Sequence, residues 1–324
     1  MFHLREMPVT AQLRTRLGRV GIWTMAFEEQ PAGRVGEGAA ELEELGYGAL
    51  WFGEGFGRDT VSQAWLLLST TRRITVAAGI ANIAFRGPIT MAAATRALGE
   101  AYPGRYLLGL GGHRVDDQEM LFDGVRIPAV GRAVTSMGDY LTAMDTAPAH
   151  SPAAAPAVPR VLAALGPKML ALAARRTAGA HPYFMPVEHT RRARETMGPD
   201  ALLAVEQALV LDTNIDRARE LATAHVGMYT SLAPHQEASM RRLGFGDDDL
   251  PGGPGGSPSR RLVDAIVAYG DVEVLRERVR QHLDAGADHV CVQVLTADTT
   301  RPPTSAWREL APALLDQPAG AATT

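Results

Sequence analysis

Tyr102-Pro-Gly-Arg-Tyr-Leu-Leu-Gly-Leu-Gly-Gly112 joins a Pro-Gly turn to a short apolar run that leaves through glycines. An apolar run this short, bounded by Gly and Pro, reads as a buried strand rather than a helix. The segment before it, Pro88 to Tyr102, reads as a helix with Pro near its start, where a backbone N–H has no partner to lose. Helix, turn, buried strand and glycine exit together are the unit of a parallel sheet, and the same unit recurs on both sides.

Working outward, the strands are Arg19 to Thr24, Ala49 to Glu54, Ile74 to Asn82, Tyr106 to His113, Arg160 to Leu165, Ala180 to Met185, Ala201 to Leu211 and His289 to Leu295. Glu206 and Gln207 interrupt the seventh. Helical patterns fill the intervals: Gly33–Leu45, Ser62–Thr70 with Ser62 as N-cap, Gly131–Asp145, Pro167–Thr177, Val187–Met197, a long Asp216–Arg242, then Arg261–Tyr269, Val272–Ala285 and Ser305–Leu315. The Pro/Ala-rich stretch Ala147–Pro159 reads as a surface connection, because the same period resumes beyond it. Gly244–Ser259, rich in Gly, Pro and Asp, reads as a mobile surface loop near the eighth unit. Eight strand–helix units favour a closed (β/α)8 TIM barrel over an open doubly wound sheet. No Gly-x-Gly-x-x-Gly follows the first strand, which weakens the dinucleotide-binding alternative. The expected organisation is an N-terminal extension over 1–18, one barrel domain over 19–316 and a disordered tail over 317–324.

Bulk properties narrow the function. The 324 residues suffice for one large barrel, and 46% hydrophobic with 21% charged residues is an ordinary globular balance. The net charge of -4 and the lack of a basic tail speak against a nucleic-acid partner. A lone cysteine, Cys291, rules out an internal disulfide and fits a reducing cytoplasm. Met1 to Leu17 is charged and has no apolar core, so no signal peptide is expected. No apolar run is long enough for a membrane span.

Barrel chemistry sits at the C-terminal ends of the strands. Gly166-Pro167-Lys168 ends one strand and starts a helix, where exposed N–H groups and a cation suit a phosphate; an ordinary turn would use the same residues. Gly109-Leu-Gly-Gly112 lets a flat ligand approach the backbone or simply makes a tight turn. Gly79, inside a strand pattern, marks a bulge or a close approach. Glu54, His113, His181 and Tyr183 are polar groups at strand ends, each also compatible with a structural role. The remaining histidines lack metal-ligand spacing, so no metal is expected. No Gly-x-Ser-x-Gly elbow appears either.

Taken together, Leu45-Gly-Tyr-Gly-Ala-Leu-Trp-Phe52, Gly79 to Asn82, the Tyr102–Gly112 stretch, Leu165-Gly-Pro-Lys-Met169, Ala178-Gly-Ala-His-Pro-Tyr183 and Asp284-Ala-Gly-Ala-Asp-His-Val-Cys-Val-Gln293 resemble the luciferase-like monooxygenase superfamily. The resemblance is nearest to its coenzyme F420-dependent actinobacterial branch and runs from about Arg19 to Leu295. It implies a coenzyme in the C-terminal mouth and a non-prolyl cis peptide at Gly79–Ile80 behind the coenzyme ring. It places Gly111 and Gly112 on the ring and ribityl side, and Gly166, Pro167, Lys168, Gly179 and Ala180 on the phosphate side. Asn82 and His181 lie in the same matching segments and join the implied coenzyme contacts. Glu54 falls where relatives hold a group near the ring. The family's sugar-phosphate dehydrogenases carry a His after the second-strand acid and a Glu after the fourth-strand glycines. Here Gly55 and His113 or Arg114 stand in those places, so a sugar-phosphate substrate is not implied.

The expected activity is hydride transfer between F420 and a small organic substrate, with His113 handling a proton and Glu54 tuning the ring. The alternatives are an FMN-dependent monooxygenase served by a separate flavin reductase, and a barrel that binds a ligand without catalysis. A homodimer is a family-level expectation.

Overall fold

The computed structural model describes residues 9–55, 57–112, 120–122, 125–127, 133–232, 234–251 and 256–315. In chain order the strands are β1 (Val20–Thr24), β2 (Ala49–Phe52), β3 (Thr75–Ala78), β4 (Ala81–Asn82), β5 (Tyr106–Gly111), β6 (Met120–Phe122), β7 (Val125–Ile127), β8 (Arg160–Leu162), β9 (Gly179–Ala180), β10 (Leu202–Leu211), β11 (Val267–Gly270) and β12 (His289–Val294). Eight of them, β1-β2-β3-β5-β8-β9-β10-β12, form a parallel ring that closes where β12 pairs β1. This is the (β/α)8 barrel expected from the alternation. The β6–β7 pair is a short antiparallel ribbon after β5.

The helices are α1 (Val9–Leu17), α2 (Ala32–Glu44), α3 (Thr60–Thr70), α4 (Pro88–Ala101), α5 (Ala133–Asp145), α6 (Pro167–Arg176), α7 (Val187–Met197), α8 (Ile215–Leu232), α9 (Pro234–Arg242), α10 (Arg260–Ile266), α11 (Val272–Asp284) and α12 (Thr304–Leu315). Side chains alternate across each strand. One set, including Val20, Ile22, Leu50, Phe52, Val76, Leu108 and Val290, packs outward against the helices. The other set, including Trp23, Trp51, Ala77, Leu107, Val161, Ala204 and Cys291, fills the barrel.

Several elements differ from the sequence expectation, each for a physical reason. The third strand is broken into β3 and β4 by a cis peptide at Gly79–Ile80. The sixth is cut to two residues, because the chain turns at His181-Pro182 and Phe184 takes φ 59. Ser62 does not cap α3; Asp59 does, its Oδ1 accepting from the amides of Val61 at 3.0 Å and Ser62 at 2.9 Å. Glu206 and Gln207 do not interrupt β10, because alternation sends Glu206 into the barrel and Gln207 outward. The Gln207 amide donates to Ile266 O at 2.8 Å and its oxygen accepts from His282 Nε2 at 2.8 Å. The helix expected over Arg261–Tyr269 stops at Ile266, and Val267–Gly270 pairs with the far end of β10 as a strand. The long Asp216–Arg242 helix is two helices, α8 and α9.

The ends of the Gly244–Ser259 stretch are pinned. Asp249 accepts from the Gly246 amide, the Ser259 hydroxyl and Arg261, while Phe245 and Leu250 are buried.

Helix α1, within the expected N-terminal extension, carries a packing role the sequence did not announce. Leu13 and Leu17 are buried in the inner cluster and stop the N-terminal end of the barrel. Arg14 donates to the carbonyls of Pro199, Asp200 and Ala201 and pairs with Asp288 at 2.9 Å. Beside it, the carbonyl of Gly18 takes a hydrogen bond from His289 Nδ1, which leaves His289 Nε2 to accept from Trp51 Nε1–H at 3.0 Å. Replacing the fully buried Leu17 by Ala should lower unfolding stability by about 2–5 kcal/mol through lost contacts and a residual cavity. The urea midpoint measures it.

Candidate active site

Period-two alternation carries the inner cluster into the next layer toward the C-terminal mouth. Two residues beyond Trp51, Ala77, Leu107 and Val161 stand Gly53, Gly79, Gly109 and Ala163. Two residues beyond Ala204 and Cys291 stand Glu206 and Gln293. One half of the mouth is therefore built from residues with little or no side chain, and the other half from polar groups.

The small half is shaped around Ile80. A Cβ on Gly109 would lie 2.0 Å from Ala78 O, a strand-packing contact, and 3.1 Å from Ile80 Cγ2; one on Gly111 would lie 2.6 Å from Ile80 Cδ1. The glycines let the half-buried Ile80 side chain stand against the wall and face the mouth. Trp23 fixes the turn by donating from Nε1 to Gly79 O at 2.9 Å. His181 supports it from inside: it is buried, stacked on Trp51 with centroids 4.5 Å apart, and its Nε2 lies 3.0 Å from where a Gly79 Cβ would sit. Its other nitrogen, Nδ1, faces Ala204 O at 3.0 Å. A carbonyl only accepts, so Nδ1 carries the proton and Nε2 is an acceptor with no partner among the described residues. Burial pushes the His181 pKa down to about 4, which keeps the ring neutral.

Glu54 was expected to tune a ligand directly. Its side chain is only 2% exposed, and four donors already occupy it. Oε1 accepts from the Thr60 amide and from Arg86; Oε2 accepts from the Asn82 amide at 2.7 Å and from Arg86 at 3.0 Å. Arg86 also pairs with Asp59. No acceptor capacity remains for a ligand, so Glu54 acts by holding β4 and the start of α3 to the end of β2. Asn82 is likewise committed: its Oδ1 accepts from the Ala84 amide at 3.0 Å.

Gly166 is the N-cap of α6 and Pro167 its first residue, with no side chain capping the helix. Lys168 is exposed and has no carboxylate partner among the described residues. Arg242, at the end of α9, adds a second cation: its Nη2 lies 3.6 Å from a Cβ placed on Gly166. His189 holds the approach to this turn, donating from Nε2 to Leu165 O at 2.9 Å. The result is an open helix N-terminus with two cations beside it, a geometry that favours an anion. Gly179 and Ala180 do not join it. They are buried in β9 between β8 and β10, and a Cβ on Gly179 would lie 1.9 Å from Leu202 O. Strand packing accounts for that glycine without a ligand. Gly112 is exposed at the exit of β5, and His113 lies outside the described residues.

The polar half joins Tyr183, a candidate from the sequence, to Glu206, Tyr229 and Gln293, which were not candidates. Glu206 is 2% exposed; its Oε2 accepts from the Phe184 amide at 2.9 Å, and its Oε1 has no partner. Burial raises its pKa to about 8, so it is a neutral acid at neutral pH. The Tyr183 hydroxyl lies 2.8 Å from Gln293 Oε1 and 2.7 Å from the Tyr229 hydroxyl. An amide oxygen only accepts, so Tyr183 donates to Gln293 and accepts from Tyr229. Burial also raises the pKa of Tyr183 well above the usual phenol range and that of Tyr229 to about 12. A continuous set of rings, Trp23–Tyr183–Tyr229 with Phe184 and His225, links the mouth to α8 at centroid distances of 4.9–5.8 Å. The one signal available in the sequence was a Glu inside an otherwise apolar strand.

Residues 17–289 match the family model of the luciferase-like monooxygenases. The chain belongs to that family. No curated protein matches it. Among solved structures it is similar to the coenzyme F420-dependent tetrahydromethanopterin reductase from Methanopyrus kandleri, with a TM-score of 0.70 and 16% identity over 90% of this chain and 97% of the other. An F420-dependent secondary alcohol dehydrogenase in complex with an F420-acetone adduct gives a TM-score of 0.65 at 15% identity, covering 91% and 98%. The oxygenating constituent of 3,6-diketocamphane monooxygenase from Pseudomonas putida, in complex with FMN, gives 0.63 at 13% identity, covering 90% and 96%. These likenesses establish a shared barrel. The family is one of enzymes, the luciferase-like monooxygenases, and this chain is an enzyme of that family.

Two outcomes follow from the site. Glu54→Gln places an amide –NH2 against a donor and should destabilise the fold by about 3–5 kcal/mol, as breaking a buried pair does, read in urea unfolding. For Glu206 the sign is opposite to that of an ordinary carboxylate. Below its unfolded pKa of 4.5 it is protonated in both states; above it the unfolded chain releases the proton and the native chain keeps it up to about 8. Its contribution to stability is therefore lost as pH rises across that window, at about 1.4 kcal/mol per pH unit. Glu206→Gln should flatten this decline, measured as unfolding free energy from pH 5 to 8.

Proposed function

We propose that the protein is an F420-dependent oxidoreductase that transfers a hydride between the deazaflavin and a small organic substrate. The observation that carries the reading is the half-buried Ile80 side chain at the C-terminal mouth, its turn held by Trp23 through Gly79 O and its side chain set against Gly111 of β5. It builds a flat aliphatic face where the sequence resemblance implies the coenzyme ring. The residues fit such a group. Gly111 gives the Ile80 side chain its place against β5, and the α6 N-terminus with Lys168 and Arg242 offers an anion seat for a phosphate.

When bound, the coenzyme supplies the carbon that gives or takes the hydride. The chain's own residues do the rest. Ile80 presents the supporting face, and Trp23 and His181 fix it. Glu54 and Arg86 hold the β4 segment in register with β5. Lys168, Arg242 and the first turn of α6 bind phosphate. His113 is retained as the proton-handling residue on the strength of its place after the β5 glycines.

A second reading, an FMN-dependent monooxygenase with a separate flavin reductase, is supported by the likeness to the FMN-bound oxygenating constituent. The same seat suits either phosphate. Fluorescence titration of the purified protein with F420 and, separately, FMN decides. The expected result is tight F420 binding with weak FMN binding, reduced about tenfold or more by Lys168→Ala. Preference for FMN, with oxygen consumption in the presence of reduced FMN, selects the second reading.

A further inference from the structure

The two halves of the mouth differ in charge as well as in size. The cations Lys168 and Arg242 gather at the end of β8 and the start of α6. Beginning on the neighbouring strand β9, the polar and aromatic residues of β1, the β9–α7 turn, β10, β12 and α8 are Trp23, His181, Tyr183, Glu206, Gln293 and Tyr229. None of them pairs with a Lys, Arg or Asp side chain among the described residues. Glu206 is the only formally acidic member, and it is buried with one oxygen on an amide and the other on nothing. A buried carboxyl without a cation is held as the neutral acid. His181 and His225 are buried and kept neutral in the same way.

Tyr183, Tyr229 and Gln293 keep part of their surface accessible, so this wall faces the mouth rather than the sealed core. Their hydrogen bonds have a direction. Tyr229 donates to Tyr183, and Tyr183 donates to Gln293 Oε1. The Gln293 amide Nε2 has no partner among the described residues and is the donor left over for a ligand. The rings of Trp23 and Tyr183, 5.0 Å apart, and Tyr229 beyond them offer flat apolar contact beside it.

We infer that this wall is the substrate subsite and that it selects an uncharged molecule with an apolar or aromatic body and one neutral oxygen acceptor, such as a ketone or aldehyde, oriented by the Gln293 amide, which Tyr183 holds in place. The inference rests on the reading of the barrel mouth as the reaction site and adds the substrate class. A carboxylate or phosphate ester is refused here because nothing on this wall would replace its hydration, whereas a carbonyl needs only a neutral donor. Gln293 is the specificity-determining residue; Tyr183 positions its amide, and Tyr229 and Glu206 position Tyr183, the latter through the Phe184 amide that fixes the turn carrying it.

The test uses a matched pair of probes, acetophenone and 4-acetylbenzoate, which differ by one carboxylate. Binding to the full-length protein is read by ligand-observed NMR, with and without F420, so that it does not depend on turnover. The expected result is saturable binding of acetophenone and binding of 4-acetylbenzoate at least about tenfold weaker. Gln293→Leu should weaken acetophenone by about three- to tenfold, the effect of one neutral hydrogen bond, and Tyr183→Phe by less, because it removes only the hold on Gln293. Their circular dichroism spectra should match the parent. Equal or tighter binding of the carboxylate overturns the inference, as does no saturable binding of either ketone. Failure of F420 to bind while the neutral preference persists would overturn the coenzyme reading and leave the subsite standing.

Discussion

Closing eight parallel strands into a ring forces every second side chain into one shared interior, and that constraint governs the rest of this molecule. Inward positions cannot relax toward solvent, so each layer must be filled by side chains that fit together. The lower layers are filled with Leu13, Leu17, Trp51, Leu202 and Cys291. The upper layer is filled differently: glycines just beyond β2 and β3 and within β5 admit the side chains of Met25, Trp23, His181 and Ile80, while Glu206 and Gln293 bring polar groups where another protein of this shape could place Leu or Val. The site is the layer at which polar groups join the packed interior.

Polar groups inside the ring survive because each is tied to a partner that fixes its protonation. His289 gives its proton to Gly18 O and takes one from Trp51. His181 gives its proton to Ala204 O. Tyr183, Tyr229 and Gln293 form a directed chain. All of them are neutral, because burial without a counter-charge disfavours the charged form. Charge is confined to places where it is paired, as in Glu54 with Arg86, or open to water, as at Lys168. The separation of a cationic side from a neutral side across the mouth follows from that rule and gives a two-part ligand two different seats.

The insertion after β10 completes the mouth. Helix α8 supplies Tyr229 and His225, α9 brings Arg242 to the start of α6, and β11 extends the sheet beside β10. Phe184, at φ 59, is the hinge point of this arrangement: its amide bonds Glu206 and its ring stacks on Tyr229. A non-glycine residue in that conformation is rare, and here the turn is held by contacts from two elements far apart in sequence.

Local patterns in the sequence determined the barrel, because strand runs, turn glycines and helix starts are short-range properties of adjacent residues. Tyr106 to Gly111, Gly166-Pro167-Lys168 and the break near Gly79 were all legible for that reason. The partners of Glu54 and Glu206 were not. Glu54 meets Arg86 across 32 residues and Glu206 meets Phe184 across 22, and whether a carboxyl there holds structure or waits for a ligand depends on which donors the folded chain delivers. Likewise Gly179 looked like a ligand-facing glycine, and only the approach of Leu202 O shows that it serves strand packing. Sequence settled which residues stand at the strand ends; tertiary structure decided which of them remain free to act, since hydrogen-bond capacity is spent or spared only when distant segments meet.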